Sequence, residues 1–351
     1  MDDFGAHSEA GAFKAVIAGW FSYAYGHATA GDLLARDIVR EWLDELGIAH
    51  VTAVAPPFTE GAALDSIDPA EFTHAFFVCG PFGRGPLEAD FLGRFAGCRL
   101  IGLNLSLDYD PDQWRPFDFV IERDSLASAN PDLVFASRAA LPPVVGVCLR
   151  EAHPDVDVGT ANLAIGRLLV RHEAARVPIE TRLDANGTGL RSRGEIEALI
   201  GRMDIVVTTR LHGVVLALKN GVPALAVDSV PGGGKVSQQC ATIGWPNVLR
   251  LDELDDERLD RAYEFALSQA ARRLARKSTE RGRAGVEAVR QQLVAGLATN
   301  GPVERAFANR RATESRQAFL ARIAPGTADP GGIRQSKSMT RIWRRLRRAF
   351  G

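Results

Sequence analysis

Apolar positions along the chain alternate between two patterns, short unbroken β-rich runs and longer stretches with apolar residues three or four apart. The run KAVIAGW over residues 14–20 predicts a buried strand. Residues 32–46 predict a helix, with Leu33, Leu34, Ile38, Trp42 and Leu46 at near-helical spacing, Asp32 as N-cap and Gly47 as stop. Further strands are predicted over 50–54, 73–79, 99–103 and 117–121, with a helix over 87–95. This is the βαβ rhythm of a parallel sheet. Leu141-Pro142-Pro143 then breaks the pattern, because paired prolines disfavour both helix and central strand. A second block follows, with strands over 144–149, 177–181, 204–208 and 224–227 and helices over 160–175, 193–202 and 213–219.

The expected fold class is therefore α/β: two doubly wound Rossmann-like domains facing a cleft, over residues 1–141 and 142–300, with a helical extension over 301–351. Residues 256–299 predict helix, broken near Gly282 and packing across both domains. Residues 325–338 have the Pro, Gly and Ser content of a linker. In the closing stretch, Ile342, Leu346 and Phe350 line one side of a helix edged by Trp343 and surrounded by arginines. That pattern fits a helix lying on anionic lipid, and equally a basic tail that docks a protein.

Composition narrows the class. Of 351 residues, 46% are hydrophobic and 24% charged, which excludes a wholly disordered or low-complexity chain. Seven of the 42 Lys and Arg, and none of the 43 acids, lie in residues 334–351, leaving 35 basic against 43 acidic groups, net −8, elsewhere. So acidic a body argues against nucleic acid as a partner. Cys79, Cys98, Cys148 and Cys240 show no metal-ligand spacing and read as reduced thiols. The acidic start is unlike a signal peptide, and no apolar run approaches ~18 residues. The expectation is a cytoplasmic protein, with peripheral contact at the inner face of a membrane as an option for the tail.

The chemistry concentrates in DIVVTTRLHGVVLALKNGVPALAVDSVPGGGK, residues 204–235. A buried strand runs into Arg210, Leu211 and His212, and a helix opens at Gly213. Ligands of parallel α/β units bind where strands end, because the next helix turns unpaired N–H groups toward that crevice. An arginine there grips carboxylate or phosphate through two parallel bonds, and a histidine can also move a proton near neutral pH. Gly232-Gly233-Gly234-Lys235 reads as a mobile loop that carries a cation toward an anion.

The run TTRLHGVVLALKNGVPALAVD resembles the signature of the polysaccharide pyruvyl transferase family. VVGVCLR, ending in Arg150, is similar to the strand that opens the family's second domain. Arg123-Asp124-Ser125, Pro131-Asp132 and Gly31-Asp32 resemble elements of its first. GHATAG and CGPFGRG depart from the family's glycine-rich turns, both on the side where an acceptor is expected.

The resemblance implies transfer of pyruvate from phosphoenolpyruvate to hydroxyls of a surface polysaccharide or its lipid-linked precursor, forming a ketal, on a plan similar to two-domain GT-B glycosyltransferases. It implies no cofactor beyond the donor, and no metal. Arg210 and His212 are the expected catalytic pair, His212 as acid or base. Arg150, Leu211, Gly213 and Lys235 are expected at the donor, and Asp32 either caps its helix or touches acceptor. Trp20, Phe21, Tyr23 and Tyr25 form an aromatic group that stacks on sugar or packs the core. A nucleotide-sugar glycosyltransferase and a non-catalytic glycan-binding protein remain alternatives.

Overall fold

The computed structural model describes residues 13–24, 26–110, 114–125, 129–151 and 158–298. The whole of the predicted extension over 301–351, with its tail helix, lies outside them, as do the acidic start and Tyr25. The chain divides into two compact units, Met1–Leu141 and Pro142–Gly351.

The first unit holds β1 (Lys14–Ala18), α1 (Ala30–Glu45), β2 (Ala49–Val54), β3 (Ala62–Ala63), β4 (His74–Phe82), α2 (Pro86–Arg94), β5 (Arg99–Leu107) and β6 (Phe119–Asp124). All pair parallel, in the order β3-β2-β1-β4-β5-β6, so the strand order reverses between β1 and β4. Successive side chains on a strand face opposite ways. Accordingly Ala15, Ile17, Phe76 and Val78 pack beneath α1, while Val16, Ala18, Ala75 and Phe77 pack with Phe91 and Phe95 of the α2 side. Both faces are covered, which is why these strands read as continuous apolar runs.

The second unit holds β7 (Val144–Cys148), α3 (Val158–Arg171), β8 (Ala175–Pro178), α4 (Arg193–Ile200), β9 (Ile205–Thr208), α5 (Leu211–Lys219), β10 (Ala224–Asp228), α6 (Lys235–Ile243), β11 (Val248–Arg250), α7 (Asp256–Leu267) and α8 (Gln269–Ala298). Its parallel sheet runs β11-β10-β9-β7-β8. Ile205 and Val207 pack against α3 and α7, and Val206 faces the layer of α4, α5, α6 and α8. Each such fully buried aliphatic side chain contributes ~1.5–3 kcal/mol. With helices on both faces, the order reverses between β7 and β9, and that pair of strand ends is where this fold class binds ligands.

Several boundaries differ from expectation. The N-cap of α1 is Thr29, and Asp32 is the third helical residue, closing a capping box by accepting from Thr29 N and Oγ1, both at 2.7 Å. The long C-terminal helix breaks at Ser268 rather than Gly282: Ser268 turns extended and its hydroxyl caps α8 by accepting from Ala271 N at 3.1 Å. Within the second unit α8 packs on α5, α6 and α7. Lys235, read as the end of a loop, instead opens a helix over Lys235–Ile243, with Val236, Cys240 and Ile243 buried on one side. Among the described residues no helix is long and apolar enough to cross a membrane.

Candidate active site

At the reversal between β7 and β9, two threonines stitch the strand ends together. Thr208 Oγ1 donates to Cys148 O at 2.7 Å and accepts from Arg210 N at 3.0 Å. Thr209 N bonds Cys148 O at 3.2 Å, and its Oγ1 accepts from Arg150 N at 2.7 Å. Asn162, from α3, donates to Arg150 O at 3.0 Å. The backbones of Arg150 and Arg210 are thereby fixed on either side of one switch point. Arg150 is half-buried, and its guanidinium has no partner among the described residues.

Arg210 is the N-cap of α5, and no side chain caps that helix. Its guanidinium is not a wholly unclaimed clamp, as the sequence suggested. Nε donates to Leu149 O at 2.8 Å and Nη2 to Glu180 Oε2 at 3.0 Å, with both ionic side chains about 15% exposed (14% and 16%). Nη1 has no hydrogen-bond partner among the described residues, and its N–H groups are the ones left to take an anion.

Leu211 begins α5 and packs its side chain on the core, and His212 beside it is exposed. Gly213 is there for space: a Cβ would lie 2.2 Å from Thr208 Oγ1 and 3.1 Å from Cys148 Sγ. The glycine lets the first turn of α5 press against the ends of β7 and β9. Burial pushes the Cys148 thiol up to about 11, so it is no nucleophile at neutral pH.

Lys235 stands apart from this group. It is exposed at the start of α6, and the preceding glycine loop is tied down. Asp228, only 2% exposed, accepts from Val230 N at 3.1 Å, Gly234 N at 2.7 Å and Ser237 N at 2.8 Å, while Asp252 accepts from Gly232 N at 3.0 Å. Burial opposes the Asp228 charge, but the N–H groups of Ser237 and Gly234 outweigh it and hold its carboxyl below the usual range. The loop already closes over an anion, and that anion is its own chain's.

The first unit's reversal point is filled differently. Trp20 Nε1 donates to Pro81 O at 3.0 Å, and a Cβ on Gly80 would meet the indole at 2.4 Å. Phe21 is core, Trp20 and Tyr23 are half-buried, and Tyr23 donates to Asp90 at 3.2 Å. Asp32 is buried in its capping box. Arg123 joins Asp132 at 3.1 Å and Asp124 at 3.3 Å, and Asn104 donates to Asp132 at 3.0 Å, a network that ties β5 and β6 to the segment after them. Cys79 and Asn104, on adjacent strands, both adopt left-handed backbone (φ 67 and 58) beside it. Among the described residues no three His, Cys, Asp or Glu side chains group as a metal site requires.

Sequence reasoning missed Glu180, Thr209 and Asn162. Reading the strand through Thr181 put Glu180 inside the sheet, whereas β8 ends at Pro178 and Glu180 lies just past its carboxyl end.

The polysaccharide pyruvyl transferase family model matches residues 176–229, a stretch that includes Glu180 and the whole Arg210 turn but neither Arg150 nor Lys235. Nothing among the curated proteins matches. Solved structures similar to the chain include the glycotransferase of kitacinnamycin (11% identity, 80% of this chain and 98% of that one, TM-score 0.29). Spinosyn forosaminyltransferase SpnP is another (11%, 82% and 100%, TM-score 0.31). A third is the Methanocaldococcus jannaschii UDP-GlcNAc 2-epimerase (10%, 78% and 99%, TM-score 0.27). Likeness at that level says nothing of ligand or reaction.

Proposed function

We propose that the protein transfers pyruvate from phosphoenolpyruvate to two hydroxyls of a surface polysaccharide or its lipid-linked precursor, forming a pyruvate ketal. One observation carries the reading: the backbones of Arg150 and Arg210 and the uncapped start of α5 lie together at the sheet reversal where this fold class binds ligands. A helix start carries about half a positive charge. Arginines on the two strand ends flanking it suit a small donor bearing both carboxylate and phosphate, and the family match covers the Arg210 turn.

His212, exposed one residue into the helix, is assigned the proton transfer. Protonation of the donor's methylene carbon makes a methyl group and leaves cationic character at the carbon bearing phosphate. A first sugar hydroxyl attacks that carbon and loses its proton. Departure of phosphate and attack by the second hydroxyl, which also loses its proton, close the ketal and release inorganic phosphate. Arg150 and Arg210 hold the donor and stabilise charge on the departing phosphate. Positioned acid–base groups contribute ~100- to 10,000-fold in rate.

The test is incubation of the full chain with phosphoenolpyruvate and a panel of synthetic or lipid-linked glycosides. Stoichiometric phosphate release together with a ketal methyl signal on the sugar supports the reading. Glycosyl transfer from a nucleotide sugar, with no phosphoenolpyruvate consumed, replaces it with the glycosyltransferase alternative.

A further inference from the structure

We propose that Glu180 is a positioning residue for the donor: it fixes the Arg210 guanidinium so that its unpartnered Nη1 is held in register for an incoming anion. The inference rests on the pyruvyl-transfer reading and goes beyond it, since neither the R-L-H-G motif nor its spacing points to Glu180.

Glu180 is built in from several sides. Its Oε1 accepts from Arg182 N at 2.8 Å, and its backbone carbonyl accepts from Asn186 Nδ2 at 3.0 Å. Asn186 also holds Arg182 O at 2.9 Å and Thr188 N at 2.9 Å, so the segment after β8 is a braced shelf. The Arg182 guanidinium is taken by Glu151 at 2.6 Å and by Asp184. That leaves Glu180 Oε2 to Arg210, at 3.0 Å. With Nε pinned to Leu149 O and Nη2 to Glu180, the guanidinium plane is set by two anchors on different loops, one after β7 and one after β8.

A bystander carboxylate and a positioning one predict opposite signs. An acid that merely neutralised Arg210 would compete with a dianionic donor, and its removal would tighten donor binding. An acid that orients the fork lowers the cost of ordering it, and its removal weakens binding. The geometry favours the second, because the contacts take Nε and Nη2 and leave Nη1 to an incoming anion.

The experiment is calorimetric titration of phosphoenolpyruvate into the full chain, with KM and kcat measured alongside. Glu180→Ala is expected to raise the donor Kd and KM about tenfold, the scale of one hydrogen bond to a charged group. Glu180→Gln, which keeps one acceptor oxygen, recovers most of the loss. In an Arg210→Ala background, Glu180→Ala adds nothing further, an outcome that a merely structural role does not produce. Glu180→Asp, which withdraws the carboxylate by one methylene, serves if the alanine variant does not fold, and is expected to fall between wild type and alanine. Tighter or unchanged binding in Glu180→Ala, or in Glu180→Asp where it stands in, or an equal loss with and without Arg210, overturns the positioning role alone. Absence of donor binding to the wild type overturns the pyruvyl-transfer reading, and the positioning role with it.

Discussion

The turns that open α5 and α6 follow adjacent parallel strands and end in opposite ways. After β10, the buried Asp228 accepts the N–H groups of Gly234 and Ser237, so the positive end of α6 is satisfied from within. After β9 no side chain caps α5, and arginine and histidine stand at its start. A helix start that follows a parallel strand is thus satisfied from within in one crossover and left without a side-chain cap in the next. Cations follow both strands in the sequence, Arg210 and His212 in one case and Lys235 in the other. Only the first pair lies where the strand order reverses.

The contrast breaks first at His212. His212→Ala is expected to lower kcat ~100-fold or more while the phosphoenolpyruvate Kd stays near wild type. A parallel loss in Kd would recast His212 as a binding group. Next comes Arg210→Ala, expected to weaken donor binding ~10- to 100-fold by titration, with little recovery in Arg210→Lys because a point charge cannot replace the fork. Lys235→Ala leaves donor binding unchanged on the same assay, and an equal loss there erases the distinction between the turns.

Smaller effects sharpen it on the stability side. Gly213→Ala drives a methyl into Thr208 and Cys148 and is expected to cost ~1–3 kcal/mol in denaturant unfolding. Asp228→Asn is expected to cost ~1 kcal/mol and to spare donor binding. Because the Asp228 carboxyl is held below its ordinary value, its contribution is complete at neutral pH. It is lost as pH falls below ~4 and through the lowered pKa. The gap between Asp228→Asn and wild type therefore closes in acid, and a gap independent of pH would show that the charge is not what caps α6.

Much of the fold was legible because both sheets are buried on both faces. Runs such as KAVIA and IVVT read as strands whatever their partners, and the alternation with helices fixed the parallel class. Helix starts were less legible. Asp32 and Thr29 are both good cap residues, and their reciprocal box decides the boundary only in three dimensions. The glycine run before Lys235 hid a helix whose Val236, Cys240 and Ile243 already carried the period. At the site, Arg210 and His212 could be found because strand, motif and helix are contiguous. Glu180 could not, because its meaning comes from a crossover that returns β9 beside β7 and leaves β8 at the edge.

Titration of phosphoenolpyruvate into wild type and Arg210→Ala, with a nucleoside diphosphate as control, tests the central claim most directly. Saturable one-to-one binding of phosphoenolpyruvate, weakened at least tenfold by the substitution and not matched by the control, is the predicted result. No saturation, or binding indifferent to Arg210, would contradict the account.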